Sequence, residues 1–456
     1  MKKSILIFIV VMIVFLSIAF NGFSEEPTWE KINWDAPVPL YQRVMGDKYI
    51  LPEGWKEAVK GIDFIEFINS GSMEYDPAMA ESIRQFEELT GIECKYQELG
   101  ENDINPKQTS ILRAKTSDLD LIFTTTFSEP YGDYEAAGWL MPVDMLWNDK
   151  IASVYSKSMR DILEIDGHVY GFPYIGWTPL FQYREDLLKE AGFDHPPKSW
   201  DELIRYAQKL TIDTNGDGVV DRYGFCYHAG DRYSTMMTLG QLLVNSGGSI
   251  LQNGKVVINT PEVERAVQFL FDLRNKYKVV PPGVNTYSYT EPPNLFAADK
   301  VAMMASPNWA HLVVSSNKEI FKQYRMTQFP TLDSSIPSKS FFDFSFYSVS
   351  AYSNKKAAAL LFLDFLRSYQ TRHNEVYIEK NVVPNKKVWL ATEVVEEVPY
   401  ASVLSESIGD AVQWVYPQAT KVCDIVHATV GRILLGETTV KEGLVDGQKE
   451  IDNIYR

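Results

Sequence analysis

Apolar positions fall into two rhythms along this chain, short continuous runs and stripes that recur every three or four residues. Ile62 to Phe67, Ile92 to Gln97 and Leu119 to Thr124 are β-favouring runs. Between the first two, Asp76 caps a helix that Pro77 opens. Met79, Ile83, Phe86 and Leu89 form its inward stripe, and Gly91 closes it. The order β-α-β-α-β predicts a parallel sheet. Ligands of such sheets sit beyond the carboxyl ends of the strands, so the loops Ser70 to Glu74 and Thr125 to Tyr131 are the ones to watch.

Further on, Asp166-Gly167 is a turn, and His168 to Ile175 is an aromatic run broken by Pro173. It reads as a strand leaving one body for another. Apolar character resumes at Phe181 to Tyr183, and Gly192 ends a short helix. Ser199 to Glu202 is a capping box before Trp200, Leu203, Ala207 and Leu210 at helical spacing. Thr260 caps and Pro261 opens another helix, with Val263, Val267, Leu270, Leu273 and Tyr277 inward. Ser345 to Ala351 reads as a strand, and Lys355 to Arg367 as a strongly apolar helix. Glu25 to Lys60 carries Trp29, Trp34, Trp55 and several prolines with little periodicity, an arm packed on the body.

The first residues change the count. Met-Lys-Lys precedes an uncharged stretch from Ser4 to Ser24, the pattern of an export signal cleaved after Ser24; a retained anchor is the competing reading, but the apolar core is short for a span. No cysteine lies near the cleavage point for lipid attachment. About 430 residues remain, too many for one core, so two domains are expected. The net charge of −16 becomes −18 without Lys2 and Lys3 and is spread along the chain, which argues against nucleic acid and anionic membrane faces as partners. Cys94, Cys226 and Cys423 fit neither a disulfide framework nor a zinc cluster; one disulfide or three buried thiols remain open.

Several phrases in fixed order carry a likeness: Gly171-Phe172-Pro173, the helix end Ala191-Gly192-Phe193, Lys198-Ser199-Trp200-Asp201, Ala137-Gly138-Trp139-Leu140, Ser306-Pro307-Asn308-Trp309, Val383-Pro384-Asn385 and Gly436 to Leu444. From about Ile62 onward the chain resembles the extracellular solute-binding proteins of sugar ABC transporters, the maltose-binding-protein-like family. The resemblance implies a two-lobed α/β fold of the type II periplasmic-binding kind, each lobe a mostly parallel sheet flanked by helices, joined by a multi-strand hinge. It implies residues 1–24 as signal peptide, 25–60 as arm, 61–174 with 345–400 as one lobe, and 175–344 with 401–456 as the other. The chain then crosses near Tyr174, Phe344 and Ala401. It further implies a monomer in the periplasm that needs no cofactor, takes a carbohydrate, an oligosaccharide in the first place, and partners the permease subunits of an importer.

A sugar ring has an apolar face and many hydroxyls. Flat aromatic walls supply affinity for the face, while carboxylates and amides take the hydroxyl hydrogens. Matching the family's positions in order nominates Trp177, Trp309, Trp414 and Tyr416 as walls, and Glu74 and Glu129 as hydroxyl acceptors, with Phe127 and Ser72 beside them. Asp231, Arg232, Tyr233 and Tyr347 stand where further contacts are expected. Trp177 replaces a commonly polar residue, and Thr124-Thr125-Thr126 stands where an aromatic is common, so ligand identity does not transfer.

Two other chemistries share parts of this pattern. Acidic residues beside aromatics also describe a glycosidase cleft, but there is no HExxH, no GxSxG and no phosphate loop. Binding of a peptide or polyamine is the other alternative. Asp213, Asn215, Asp217 and Asp221, with the Val219 carbonyl, occupy positions 1, 3, 5, 9 and 7 of a calcium loop, yet Gly224 replaces the bidentate Glu at position 12. Structural calcium and a plain turn both remain open for this loop.

Overall fold

The computed structural model describes residues 28–70, 77–99, 101–125, 131–155, 157–379, 383–385, 387–398, 400–409 and 411–456. The signal segment, Ser72, Glu74, Phe127 and Glu129 lie outside the described residues. Strand β1 (Phe64–Ser70) is followed by α1 (Pro77–Thr90), β2 (Glu93–Leu99), α2 (Glu101–Ala114) and β3 (Leu121–Thr124). β1 and β2 pair in parallel, as the β-α-β order predicts, and Asp120 N–H reaches the Glu66 carbonyl to place β3 beside β1. Ala78, Met79, Ile83 and Phe86 bury the inner stripe of α1, while Leu89 is exposed.

The chain then runs into β4 (Gly171–Trp177) and β5 (Pro179–Arg184). These two strands belong to different sheets. β4 pairs antiparallel with β9 (Asp343–Val349), which also pairs antiparallel with β3. β5 pairs antiparallel with β6 (Met303–Pro307) and β7 (Tyr324–Thr327). Thr178 alone separates β4 from β5. The return passage is equally short, because β8 (Ser340–Phe341) pairs with β10 (Ala411–Val412) and Phe342 alone separates it from β9. β4, β5 and β9 run antiparallel to their neighbours, whereas β8 runs parallel to β10.

Around the second sheet lie α3 (Arg232–Val244), α6 (Ala419–Leu434) and α7 (Val440–Ile454). α3 packs on α6, and α6 on α7. The helices Trp200–Leu210 and Pro261–Phe271 form as their caps predict, Ser199 Oγ accepting from Glu202 N–H and Thr260 Oγ1 from Val263 N–H.

Around the first sheet lie α4 (Lys356–Leu366) and α5 (Tyr369–Glu379). α4 is buried from Ala357 to Leu366, so its one acid, Asp364, needs partners inside. Arg43 Nε sits 2.8 Å from Asp364, Arg367 2.7 Å, and the Tyr49 hydroxyl donates to it at 2.7 Å. Arg43 also donates to the Trp34 carbonyl. Burial works against the Asp364 carboxylate, but the two guanidinium charges outweigh it and hold its pKa below the ordinary value. The N-terminal arm is thereby pinned to the first body. Cys94, Cys226 and Cys423 are free and buried, which closes the disulfide question in favour of thiols.

Candidate functional site

The two passages lie side by side, because Asp343 on β9 is the register partner of Trp177 on β4. Immediately after Trp177, Thr178 N–H donates to Asn308 Oδ1 at 3.0 Å. Asn308 N–H returns the bond to the Thr178 carbonyl at 3.1 Å. Asn308 is the residue before Trp309, so the chain brings two of the nominated walls to one place through neighbours that bond each other. Both indoles are half-buried, leaving part of each free to meet a ligand. His311 Nδ1 lies 2.9 Å from the Asn308 carbonyl and steadies the same turn.

From the second body, Tyr233 and Tyr289 extend the wall. The Tyr233 and Tyr289 rings meet edge to face at 5.7 Å, and Tyr289 and Trp309 at 5.8 Å. Such pairs are favoured by the ring quadrupole and fix angles as well as distances. Tyr233 is among the residues the sequence nominates; Tyr289 is not, because nothing in its local pattern separates it from the other tyrosines of a polar loop.

Other nominees take different roles. Trp414 is buried, with its ring 4.6 Å from Phe341, because β10 pairs with β8 and carries the following residues inward. Tyr416 is buried with its hydroxyl 3.7 Å from Cys423 Sγ. Neither is a free wall. Tyr347 is 1% exposed, donates to Asn69 Oδ1 at 2.8 Å and packs against Phe67, Phe123 and Tyr174, so it belongs to the core of the first body. Asp231 caps α3, accepting from Ser234 N–H at 2.7 Å and from Ser234 Oγ at 3.0 Å. Arg232 pairs with Asp424 at 3.3 Å, an exposed link between α3 and α6 and not the Asp231 contact that adjacency suggests.

The 213–221 loop bonds to itself. Asp213 accepts from Gly216 N–H at 2.7 Å and Gly218 N–H at 2.8 Å, Asn215 from Asp217 N–H at 2.9 Å, and Asp217 from Val219 N–H at 2.8 Å. Asp221 accepts from Thr214 N–H at 2.7 Å and from its hydroxyl. Among the described residues no three His, Cys, Asp or Glu side chains converge to hold a metal ion.

The two bodies also meet away from the indoles. Asp133, in the helix Tyr131–Ala136, accepts from Gln418 N–H at 2.6 Å, beside a groove of about 600 Å³ lined by Arg113, Trp139 and Lys421 among others. Burial raises the Asp133 pKa, partly offset by that bond and by Lys421.

Two bodies joined by short paired passages, with aromatic rings gathered where they meet, define a two-lobed α/β ligand-binding protein. Residues 70–372 match the model of the bacterial extracellular solute-binding protein family, and the chain belongs to that family. It is similar to the mannitol-binding protein of Pseudomonas aeruginosa, 25% identical over 50% of this chain and 51% of the relative. A probable ABC transporter-binding protein of Deinococcus radiodurans is 30% identical over 34% of this chain and 36% of its own. The chain thus spans about half or less of the curated relatives' lengths. Among solved structures, the maltose-bound MalE3 of T. maritima superposes with a TM-score of 0.73 at 22% identity, covering 86% of this chain and 99% of that one. A ribitol complex from Agrobacterium radiobacter K84 gives 0.73 at 20% identity over 87% and 99%. These likenesses establish the type II fold. Among the described residues no helix is long and apolar enough to cross a membrane.

Proposed function

We propose that this protein binds a carbohydrate, a sugar or sugar-derived polyol, between its two bodies and delivers it unchanged to the permease subunits of an ABC importer. The observation that carries this reading is that half-buried Trp177 and Trp309 flank the bonded pair Thr178 and Asn308 at the passage between the bodies. An indole face suits the apolar face of a sugar, and a ligand that touches both bodies favours the closed state by the contacts it gains there. Micromolar affinity corresponds to about −8 kcal/mol, within reach of a few stacked rings and hydroxyl bonds. The export-signal pattern, the family membership and the acidic surface support a periplasmic monomer that transports and does not hydrolyse, with no nucleic-acid partner.

The test is calorimetry and small-angle scattering across a panel of glycans and alditols. Binding with compaction is expected for at least one ligand; a panel that yields neither refutes the reading. For the 213–221 loop, the self-bonded oxygens support a turn that folds without an ion.

A further inference from the structure

Three aromatic side chains from three separate stretches of chain meet at the wall of the second body. Tyr233 stands on the first turn of α3, Tyr289 on the 284–290 segment, and Trp309 at the start of the helix Ala310–Val314. The planes of Tyr289 and Trp309 stand at 89°, and those of Tyr233 and Tyr289 at 78°. Tyr289 is the middle ring and touches both others.

The backbone that carries Tyr289 has little freedom. Ala229 N–H donates to the Val284 carbonyl at 3.1 Å, and Gly230 N–H to the Tyr287 carbonyl at 2.7 Å. A Cβ at Gly230 would fall 2.3 Å from the Thr286 carbonyl carbon, so the two stretches approach as closely as a glycine allows. Ser288 Oγ donates to Glu291 Oε2 at 2.8 Å on the far side of the loop. The turn leading into Tyr233 and the loop leading into Tyr289 are therefore fastened together, and Asn308 fastens the turn leading into Trp309 to Thr178. Against this frame the Trp309 plane meets the Tyr289 ring edge to face.

We propose that Tyr289 is a positioning residue that fixes the plane of Trp309 and thereby biases the site toward ring-form sugars over open-chain alditols. The inference rests on the carbohydrate reading above. A pyranose carries a permanent flat face, and its stacking depends on an indole held at one angle. An alditol has rotatable bonds throughout, has no fixed face to lose, and adapts to an indole at several angles while ordering itself at entropic cost. Freeing the Trp309 plane therefore harms the ring ligand more than the chain. The fold itself does not make this choice, since maltose and ribitol complexes are both among its solved relatives.

The experiment compares the full-length mature protein with Tyr289→Ala and Tyr289→Phe, using calorimetry with pyranose mono- and disaccharides and with ribitol and mannitol as probes. Near-ultraviolet circular dichroism of the unliganded proteins reports the aromatic corner, and thermal melting reports the fold. Tyr289→Ala is expected to weaken the ring sugar about ten-fold, the size expected from losing two edge-to-face contacts, and an alditol by about two-fold or less. Tyr289→Phe keeps the ring and should restore ring-sugar affinity to within about two-fold. Equal losses for both ligand classes, preference of the wild type for alditols, or unchanged ring-sugar affinity in Tyr289→Ala overturns the proposal while leaving the carbohydrate reading intact. If only ring sugars bind, the fall in the alanine variant and its rescue in the phenylalanine variant at unchanged melting temperature decides the matter. If the wild type binds neither class, the carbohydrate reading fails and this inference falls with it.

Discussion

Thr178 and Asn308 hold each other by two hydrogen bonds, 3.0 Å through the Asn308 side chain and 3.1 Å through its backbone, at the one residue that separates the two sheets on the outward passage. Asn308 is 1% exposed, so the Thr178 N–H has no water to turn to if the amide is removed. Asn308→Ala is expected to cost about 1–3 kcal/mol of stability. Because Trp309 follows directly, ligand affinity should fall as well. Asn308→Asp keeps the acceptor oxygen and should retain more of both; chemical unfolding and calorimetry on the two variants check it.

Trp309 and Trp414 separate a wall from a core. Trp309→Ala removes a half-buried indole and should cost about 2 kcal/mol of ligand affinity with little loss of stability. Trp414→Ala empties a packed position against Phe341 and should cost about 3–5 kcal/mol of stability, with affinity unchanged in the protein that still folds. Paired melting curves and binding isotherms tell the two apart.

The arm is held by a buried charge cluster. Arg43→Ala leaves Asp364 with the Arg367 guanidinium and the Tyr49 hydroxyl and is expected to cost about 3–5 kcal/mol. The folded Asp364 pKa lies below its ordinary value, so its contribution is present above the ordinary carboxylate range and is lost as pH falls through the lowered pKa. Asp364→Asn should therefore be less stable than the wild type at neutral pH and lose less of its stability on acidification. Urea titrations at stepped pH measure this.

His228 works in the same direction, in a higher pH window. Burial lowers its pKa from 6.5 to about 4, with Asp231 and Glu291 opposing. Between those values the unfolded chain binds a proton that the folded chain does not, so stability falls as pH drops from about 6.5 toward 4. The loss is on the order of 3 kcal/mol. His228→Gln should flatten that limb of the stability profile, measured by urea unfolding across the same range.

For the 213–221 loop, the self-bonded geometry leads to a simple expectation. A site of millimolar affinity under excess calcium would contribute about 1 kcal/mol, visible as a rise in melting temperature after chelation and re-addition. No rise is expected; a reproducible one assigns the ion to Asp213, Asp217 and Asp221.

Much of the scaffold was legible because caps and stripes are local. Ser199, Thr260 and Thr439 start their helices as their side chains predict. The resemblance puts the crossing near Tyr174, and the strand there continues to Trp177, because pairing with β9 extends it through the nominal break at Pro173. Leu89 was read as inward from its spacing alone, and the exposure of one stripe residue depends on what covers the last helical turn. The site was legible only in part. Trp177 and Trp309 came from order along the chain, but whether Trp414 or Tyr347 faces a cleft or a core depends on which strands pair, and that is a long-range fact. Asn308 stood in plain view beside Trp309, yet its role appears only when Thr178 is brought across from 130 positions away.

The single residues at Thr178 and Phe342 leave little slack between the sheets. Paired side by side, the passages fix the register of one half against the other, so a ligand lodged between the halves would meet Trp177 and Trp309 at a set spacing.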